Sequence, residues 1–147
     1  MKFTVEKINS DNYQLFCEMV CRRSGKPCTD NESQLTEAVK KVMADENFAV
    51  YAAKADGKFV SWISMMNIPK ISRFKGYGYI YVDELWTEEE YRCNGIATAL
   101  LKKADEMKEQ LGAIGVRLYV NTQNPAAARL YRKCGFTGDD TAIFMEK

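Results

Sequence analysis

The sequence contains no histidine, few prolines, no long apolar run and no clear excess of either charge. Without histidine, Ser-His-Asp and Cys-His catalysis, histidine-ligated zinc and the usual proton shuttle at neutral pH are excluded. Lys and Arg total 21 against 20 Asp and Glu, whereas nucleic-acid-binding proteins usually carry a basic excess on one face. No apolar run approaches the roughly 20 residues that span a bilayer, and the first residues lack the apolar core of a signal peptide. We therefore expect no nucleic-acid or membrane partner and a cytoplasmic location.

The 147 residues, 46% hydrophobic and 28% charged, have the size and composition of one globular domain over 1–147. The five cysteines form no paired framework, and their odd number argues against a fully bridged secreted scaffold. Cys17 and Cys21 lie one helical turn apart and Cys28 follows, but an all-cysteine zinc site needs a fourth nearby sulfur. Reduced thiols are the simplest interpretation, and we expect no metal. Acid–base chemistry must then come from carboxylates, Tyr, Lys or Cys.

The spacing of apolar residues predicts three strands and two helices in the first half of the chain. In order they are a strand over 2–8, a helix from Ser10-Asp11-Asn12 to Gly25, a helix capped by Asp30 or Ser33, and strands over 47–55 and 58–66. Asp56-Gly57 is a strong signal for a two-residue turn, so the last two strands are expected to form an antiparallel hairpin.

The second half is predicted to alternate strands with helices. In order these are a strand over 77–87, a helix that opens at Gly95 and ends before Gly112, a strand over 116–120, a helix from Pro125 to 133, and a short strand over 142–145. The strand–helix–strand unit makes the fourth and fifth strands parallel within an otherwise antiparallel sheet.

The most informative segment joins the fourth strand to the long helix through Arg92-Cys93-Asn94-Gly95-Ile96-Ala97-Thr98. Several free N–H groups at this helix start point towards one spot. Gly95 lets a bulky group approach the backbone, and the helix dipole favours an anion such as pyrophosphate. Arg92 either supplies a cation to that group or anchors the loop. The P-loop and three-glycine dinucleotide patterns are absent, which argues against nucleotide hydrolysis and hydride transfer.

This segment resembles the pyrophosphate motif Arg/Gln-x-x-Gly-x-Gly/Ala of the GNAT superfamily, the acyl-coenzyme A-dependent N-acyltransferases. The motif stands here as residues 92–97, after a strand that ends Glu84-Leu85-Trp86-Thr87. A second family motif matches further downstream, at Val120, Asn124, Ala127, Leu130-Tyr131 and Lys133-Cys134-Gly135-Phe136. Three departures stand out: Ala97 replaces the commoner Gly, Thr87 stands where Val is frequent, and the region after Phe136 is short.

The resemblance implies an α/β (α+β) fold, with a mixed, mostly antiparallel sheet of six to seven strands and helices on both faces. Its parallel strands four and five would splay at their carboxyl ends and admit the pantetheine arm of acetyl-CoA. The residues that the family pattern assigns to this cofactor are Leu85, Trp86 and Thr87 for pantetheine, Arg92, Cys93, Asn94, Gly95, Ile96, Ala97 and Thr98 for pyrophosphate, and Asn124 for the arm.

The resemblance also implies direct transfer of an acetyl group from acetyl-CoA to a primary amine. Such an amine has a pKa of about 10.4, so a base must remove its proton at neutral pH. Glu84 is the first candidate, because partial burial beside the splay would strengthen it as a base; Asp83, on the opposite face of the strand, and water are the alternatives. Tyr131 stands at the family's general-acid position and would protonate the departing thiolate, unless it serves only packing. An acyl-enzyme on Cys93 or Cys134 is disfavoured, because no histidine activates the thiol.

The acceptor is expected to be a small cationic molecule or peptide. Five carboxylates and no basic residue lie between Asp83 and Glu90, although Glu88 to Glu90 equally suit a solvated loop. Aromatic strand residues such as Trp62 and Trp86 either line the acceptor cleft or belong to the core. A catalytically silent acyl-CoA sensor and a different nucleotide-binding protein stay open as alternatives, and either a monomer or a homodimer is expected.

Overall fold

One five-stranded sheet and four helices make up the fold in a computed structural model that describes all of residues 1–147. The elements are β1 (Thr4–Lys7), α1 (Tyr13–Ser24), α2 (Glu37–Ala44), β2 (Phe48–Ala55), β3 (Lys58–Pro69), β4 (Gly78–Thr87), α3 (Ile96–Leu111), β5 (Gly115–Leu118) and α4 (Pro125–Lys133). Short 3₁₀ turns occupy Ser72–Phe74 and Glu89–Tyr91. The strands lie side by side in chain order.

The pairing of the strands confirms the hairpin and the parallel pair. Asp56 and Gly57, between β2 and β3, both have positive φ, 50° and 80°, as a tight two-residue turn of type I′ requires. β4 pairs antiparallel with β3 and parallel with β5, and α3 connects β4 to β5. β3 runs on to Pro69, beyond its predicted end, because residues 67–69 pair with the first residues of β4.

The prediction of six to seven strands was wrong, because the sheet has five. Residues 142–145 form no strand, and Ile143, Phe144 and Met145 are 87%, 84% and 85% exposed. β5 also ends at Leu118 rather than residue 120. A strand forms only where a neighbouring strand accepts and donates its backbone hydrogen bonds, and apolar residue types alone do not supply that neighbour.

The second helix begins later than predicted. Its N-cap is Thr36, whose Oγ1 accepts a hydrogen bond from the Val39 N–H at 3.2 Å. Asp30 and Ser33 precede the helix, in a turn where the Thr29 N–H donates to Glu32 Oε2 at 3.0 Å. Short polar residues in succession offer several competing local hydrogen bonds, and only the packing of the helix selects among them.

The sheet carries an apolar cluster on each face. Trp62 and Ile63 are adjacent in β3 and belong to different clusters, since successive strand side chains point to opposite faces. α3 covers the face of Ile63, where Leu100 is fully buried. α1 covers the face of Trp62, where Met19 is fully buried. Helices therefore lie on both faces, as predicted, and none has both the length and the apolar character that a bilayer crossing requires.

Candidate active site

β4 continues beyond its partner β5. The parallel pairing ends at Val82 with Leu118, while β4 runs on to Thr87, so segment 83–87 has a neighbouring strand only on the β3 side. The β3–β4 register shifts between Ser64 and Met65, which makes Asp83 the extra residue of a bulge. A bulge bends a strand and re-aims its side chains. Segment 83–87 thus presents an open edge at the carboxyl end of β4, the place where open α/β sheets bind ligands.

Leu85 is the residue of this edge whose backbone N–H and carbonyl are both left free. The Trp86 carbonyl accepts a hydrogen bond from Ser61 Oγ at 2.6 Å and so faces β3. Because adjacent carbonyls of a strand point to opposite sides, those of Leu85 and Thr87 face the open edge. The Thr87 carbonyl is already bonded, since Arg92 Nε donates to it at 3.1 Å. Arg92 thus anchors the loop through its Nε, and its binding to the pyrophosphate stays a prediction.

Six consecutive backbone N–H groups at the start of α3, from Cys93 to Thr98, donate no hydrogen bond within the protein. Ala99 is the first to do so, to the Gly95 carbonyl at 3.0 Å. Cys93 and Gly95 have positive φ, 61° and 79°, and a Cβ built on Gly95 meets no atom within 4 Å. Such a run of donors at a helix N-terminus, with open space before it, suits an anion. A pyrophosphate group therefore fits this donor set.

The loop that carries these donors is held by its own side chains. Asn94 Nδ2 donates to the carbonyls of Tyr91 and Arg92, at 3.2 and 2.9 Å. Ile96, the first residue of α3, is only 1% exposed, so packing on the sheet fixes the helix start. The donors are thus in place before any ligand arrives, which reduces the entropy that binding costs.

Glu84 lies beside Trp62 and the end of α1. Its Oε1 is 3.4 Å from Nη1 of Arg23, and its Oε2 accepts a hydrogen bond from Trp62 Nε1 at 3.3 Å. The side chain is 48% exposed, so its burial is partial. A half-exposed carboxylate can pass a proton to solvent, which suits a base that must be regenerated at each turnover. Its role as the base stays a prediction, as does that of Asp83, which is exposed.

Tyr131 lies on α4 and packs against the cluster beneath α3. Its ring meets Phe136 edge to face, with the centroids 5.9 Å apart. Burial raises the pKa of Tyr131 above its ordinary value, so the hydroxyl keeps its proton at neutral pH. Asn124 caps α4, since its Oδ1 accepts from the Ala127 N–H at 3.1 Å, and its Nδ2 is left to donate elsewhere. The catalytic and binding roles of both residues stay predictions.

Cations that the sequence pattern did not single out neutralise part of the acidic charge at the end of β4. Glu88 lies 2.8 Å from Arg22 and 3.0 Å from Lys58, as Glu84 lies beside Arg23. Burial of Glu88 opposes its ionisation, but the hydrogen bonds from these cations hold its pKa below the ordinary value. The partners are 66 and 30 positions away in sequence, so no local pattern could have shown them. The negative field is smaller than the sequence suggested.

Residues 13–136, most of the chain, match the family model described as the acetyltransferase (GNAT) family. The chain belongs to the GNAT family. An acetyltransferase of Agrobacterium fabrum is 42% identical to this chain over 60 residues. The matched segment is 41% of this chain and 42% of that protein. Over 104 residues, 71% of the chain, it is 27% identical to a streptothricin acetyltransferase of Escherichia coli, of which 56% is covered. This GNAT chain thus matches about half the length of these curated relatives.

Solved structures share the fold of this GNAT chain. An aminoglycoside acetyltransferase from an uncultured soil metagenomic sample has a TM-score of 0.81 and 19% identity, with 100% of this chain and 99% of that chain covered. At such identity the likeness shows the fold alone. GNAT membership implies acetyl-CoA as co-substrate, and the free N–H groups of 93–98 and the open edge at Leu85 fit it. No group of three or more metal-ligating side chains is assembled.

Proposed function

We propose that this GNAT protein transfers the acetyl group of acetyl-CoA directly to a primary amine of a small molecule or peptide. The observation that carries the proposal is the run of six unpaired N–H groups at the start of α3, next to the segment of β4 that has a neighbouring strand only on the β3 side. The N–H groups suit a pyrophosphate, and the open edge suits an extended arm that pairs with backbone. The relative named for streptothricin supports an amine acceptor.

The residues around the open edge would carry out the transfer within one ternary complex. Bound acetyl-CoA would supply the acetyl thioester. Glu84, directly or through a water, would take a proton from the acceptor's ammonium group, so that the neutral nitrogen forms the C–N bond. The Leu85 N–H would donate to the carbonyl oxygen as negative charge develops there. Tyr131 would give its proton to the sulfur as the C–S bond breaks, and the second proton that the nitrogen loses on becoming an amide would restore the Tyr131 hydroxyl through solvent.

Release of free coenzyme A thiol in the presence of an amine tests the function. We expect thiol release that requires both acetyl-CoA and an amine, together with one added acetyl group on the acceptor by mass spectrometry. Acetyl-CoA binding without thiol release across a broad amine panel would favour the silent sensor instead. Tighter calorimetric binding of ATP or NAD than of coenzyme A would favour another nucleotide-binding protein.

The acceptor is proposed to be cationic, because Glu84 is half-exposed and Asp83 and Glu89 have no ion-pair partner. Polyamines, aminoglycosides and lysine peptides should have lower KM values than neutral arylamines at low salt. This advantage should shrink as ionic strength rises, because the Debye length falls from about 30 Å at 0.01 M to about 3 Å at 1 M. A preference for neutral or anionic acceptors, or a KM for cations that salt leaves unchanged, would contradict the proposal.

Glu84→Gln should lower the rate of acetyl transfer about a hundredfold near pH 7 and much less near pH 10, where the free amine is abundant without a base. Single-turnover rates across this pH range measure the difference. Glu106→Gln is the matched control, because Glu106 is similarly exposed, at 52%, and pairs with Lys103 at 2.7 Å on α3. An equal loss of rate at every pH for Glu84→Gln would show that Glu84 binds the acceptor or supports the structure and does not remove the proton.

A further inference from the structure

Four side chains meet on the α1 face of the sheet, at the end of β4. The rings of Trp62 and Trp86 lie 5.0 Å apart at an interplanar angle of 43°. The guanidinium carbon of Arg23 lies 5.0 Å from the first ring centroid and 5.8 Å from the second. Glu84 accepts from Trp62 Nε1 with one oxygen and faces Arg23 with the other. Two aromatic faces and a carboxylate around one position are the chemistry that binds an organic cation.

The two tryptophan walls of this position are held by packing, and the Arg23 side chain that lies against them is the movable part. Trp62 lies on β3 opposite Trp86 of β4, and Phe16 packs edge to face on Trp62 at 5.9 Å. Arg23 instead comes from the last turn of α1, before the left-handed Gly25, and its side chain is 42% exposed. The Arg23 side chain is long and flexible, and its half-exposed ion pair with Glu84, at 3.4 Å, holds it weakly.

The neighbouring Arg22 fixes the end of α1 independently. Its Nε lies 2.8 Å from Glu88 Oε1 and its Nη2 donates to the Phe59 carbonyl at 2.5 Å. The last turn of the helix therefore stays in place when Arg23 rotates away. A change of side-chain rotamer at one residue is sufficient to open the position.

We propose that Trp62, Trp86 and Glu84 form a binding site for an organic cation, which the Arg23 guanidinium occupies until a cationic group of the acceptor displaces it. That the displacing cation belongs to the acceptor rests on the proposed function. The cation site itself does not. Arg23 is then a specificity-determining residue: an acceptor without a cationic group leaves it in place. The site lies on the α1 face of β4, opposite the face that α3 covers, with the open edge between them.

The test uses methylguanidinium, which carries the same head group as Arg23, and methylurea as its neutral isostere. The chain has two tryptophans, and both belong to the site, so intrinsic tryptophan fluorescence reports occupancy without coenzyme A or turnover. In Arg23→Ala the Kd for methylguanidinium should be about five to thirty times lower than in the wild type, because the intramolecular competitor is gone. Titrations are run at constant ionic strength.

Two further variants complete the experiment. Arg73→Ala is the matched control, because Arg73 also stacks on an aromatic ring, that of Phe74, at 4.9 Å; it should leave the Kd at the wild-type value. Glu84→Gln in the Arg23→Ala background should abolish the gain. Arg23→Gln keeps most of the stem and repeats the test if Arg23→Ala loses its native circular dichroism spectrum.

Equal Kd values for the wild type and both Arg23 variants, or an equal response to methylurea, would overturn the cation site. Failure of the proposed function gives a different result: acetyl-CoA would not bind or acetyl transfer would not occur, and the fluorescence result would be unchanged. Where transfer is observed, Arg23→Ala should lower the KM of a cationic acceptor and leave that of a neutral arylamine unchanged.

Discussion

Gly95→Val is expected to weaken coenzyme A binding about tenfold to a hundredfold or more, measured by calorimetry. The Gly95 φ of 79° strains a β-branched residue, and the open space in front of it would receive the new methyl groups. The N–H groups on either side would then lose one or two hydrogen bonds to phosphate oxygens. Each hydrogen bond to a charged group contributes about 1.5–3 kcal/mol, and every 1.4 kcal/mol is tenfold in Kd.

The control for this substitution separates backbone strain from loss of the site. Gly57, in the turn between β2 and β3, has nearly the same φ, 80°, and a Cβ built there also meets no atom within 4 Å. Gly57→Val should therefore lower the melting temperature to a similar extent and keep the wild-type Kd for coenzyme A. If Gly95→Val is folded and binds coenzyme A as the wild type does, the pyrophosphate does not lie at the start of α3.

Tyr131→Phe is expected to lower turnover about ten- to a thousandfold with little change in the Kd for acetyl-CoA. Phenylalanine keeps the edge-to-face contact with Phe136 but has no proton to give to the sulfur. Because burial raises the pKa of Tyr131, its acidic form is present below that pKa and is lost only as pH rises through it. Wild-type turnover should therefore not decline through loss of this acid below about pH 10.

Tyr51→Phe provides the comparison for Tyr131→Phe. Tyr51 is also partly buried against the cluster beneath α3, so the substitution removes a tyrosine hydroxyl from the same packing environment. It should leave turnover unchanged. Wild-type turnover in Tyr131→Phe, with the chemical step shown to be rate-limiting by single-turnover kinetics, would remove Tyr131 from the mechanism and leave it a packing residue.

Local sequence was sufficient for the elements whose causes lie within a few residues. The α3 helix is preceded by Gly95 and ends at Leu111, before the left-handed Gly112, and α4 starts at Pro125 behind the Asn124 cap. The turn at Asp56-Gly57 likewise depends only on residues within the turn. Capping, proline and positive φ act through hydrogen bonds and sterics between near neighbours, so residue order is enough to predict them.

The strand count and the second helix start depended on partners elsewhere in the chain. Residues 142–145 have strand-like composition but no neighbouring strand, and Thr36 rather than Asp30 or Ser33 became the cap. In both cases the local sequence allowed several conformations with similar hydrogen bonding. At α2 the packing of Met43 on the sheet selects one helix start, whereas residues 142–145 have no strand beside them and stay exposed.

The acyltransferase motif, the donors at 93–98 and the list of candidate residues follow from residue order alone. Which backbone groups are free depends on the folded chain: Leu85 is open because β5 ends early, and the Thr87 carbonyl is bonded by Arg92. The fold also places Arg23 against Glu84, 61 positions away. Ion pairs and strand pairs form between residues that are close in space, and the folded chain brings together residues that are far apart in the sequence.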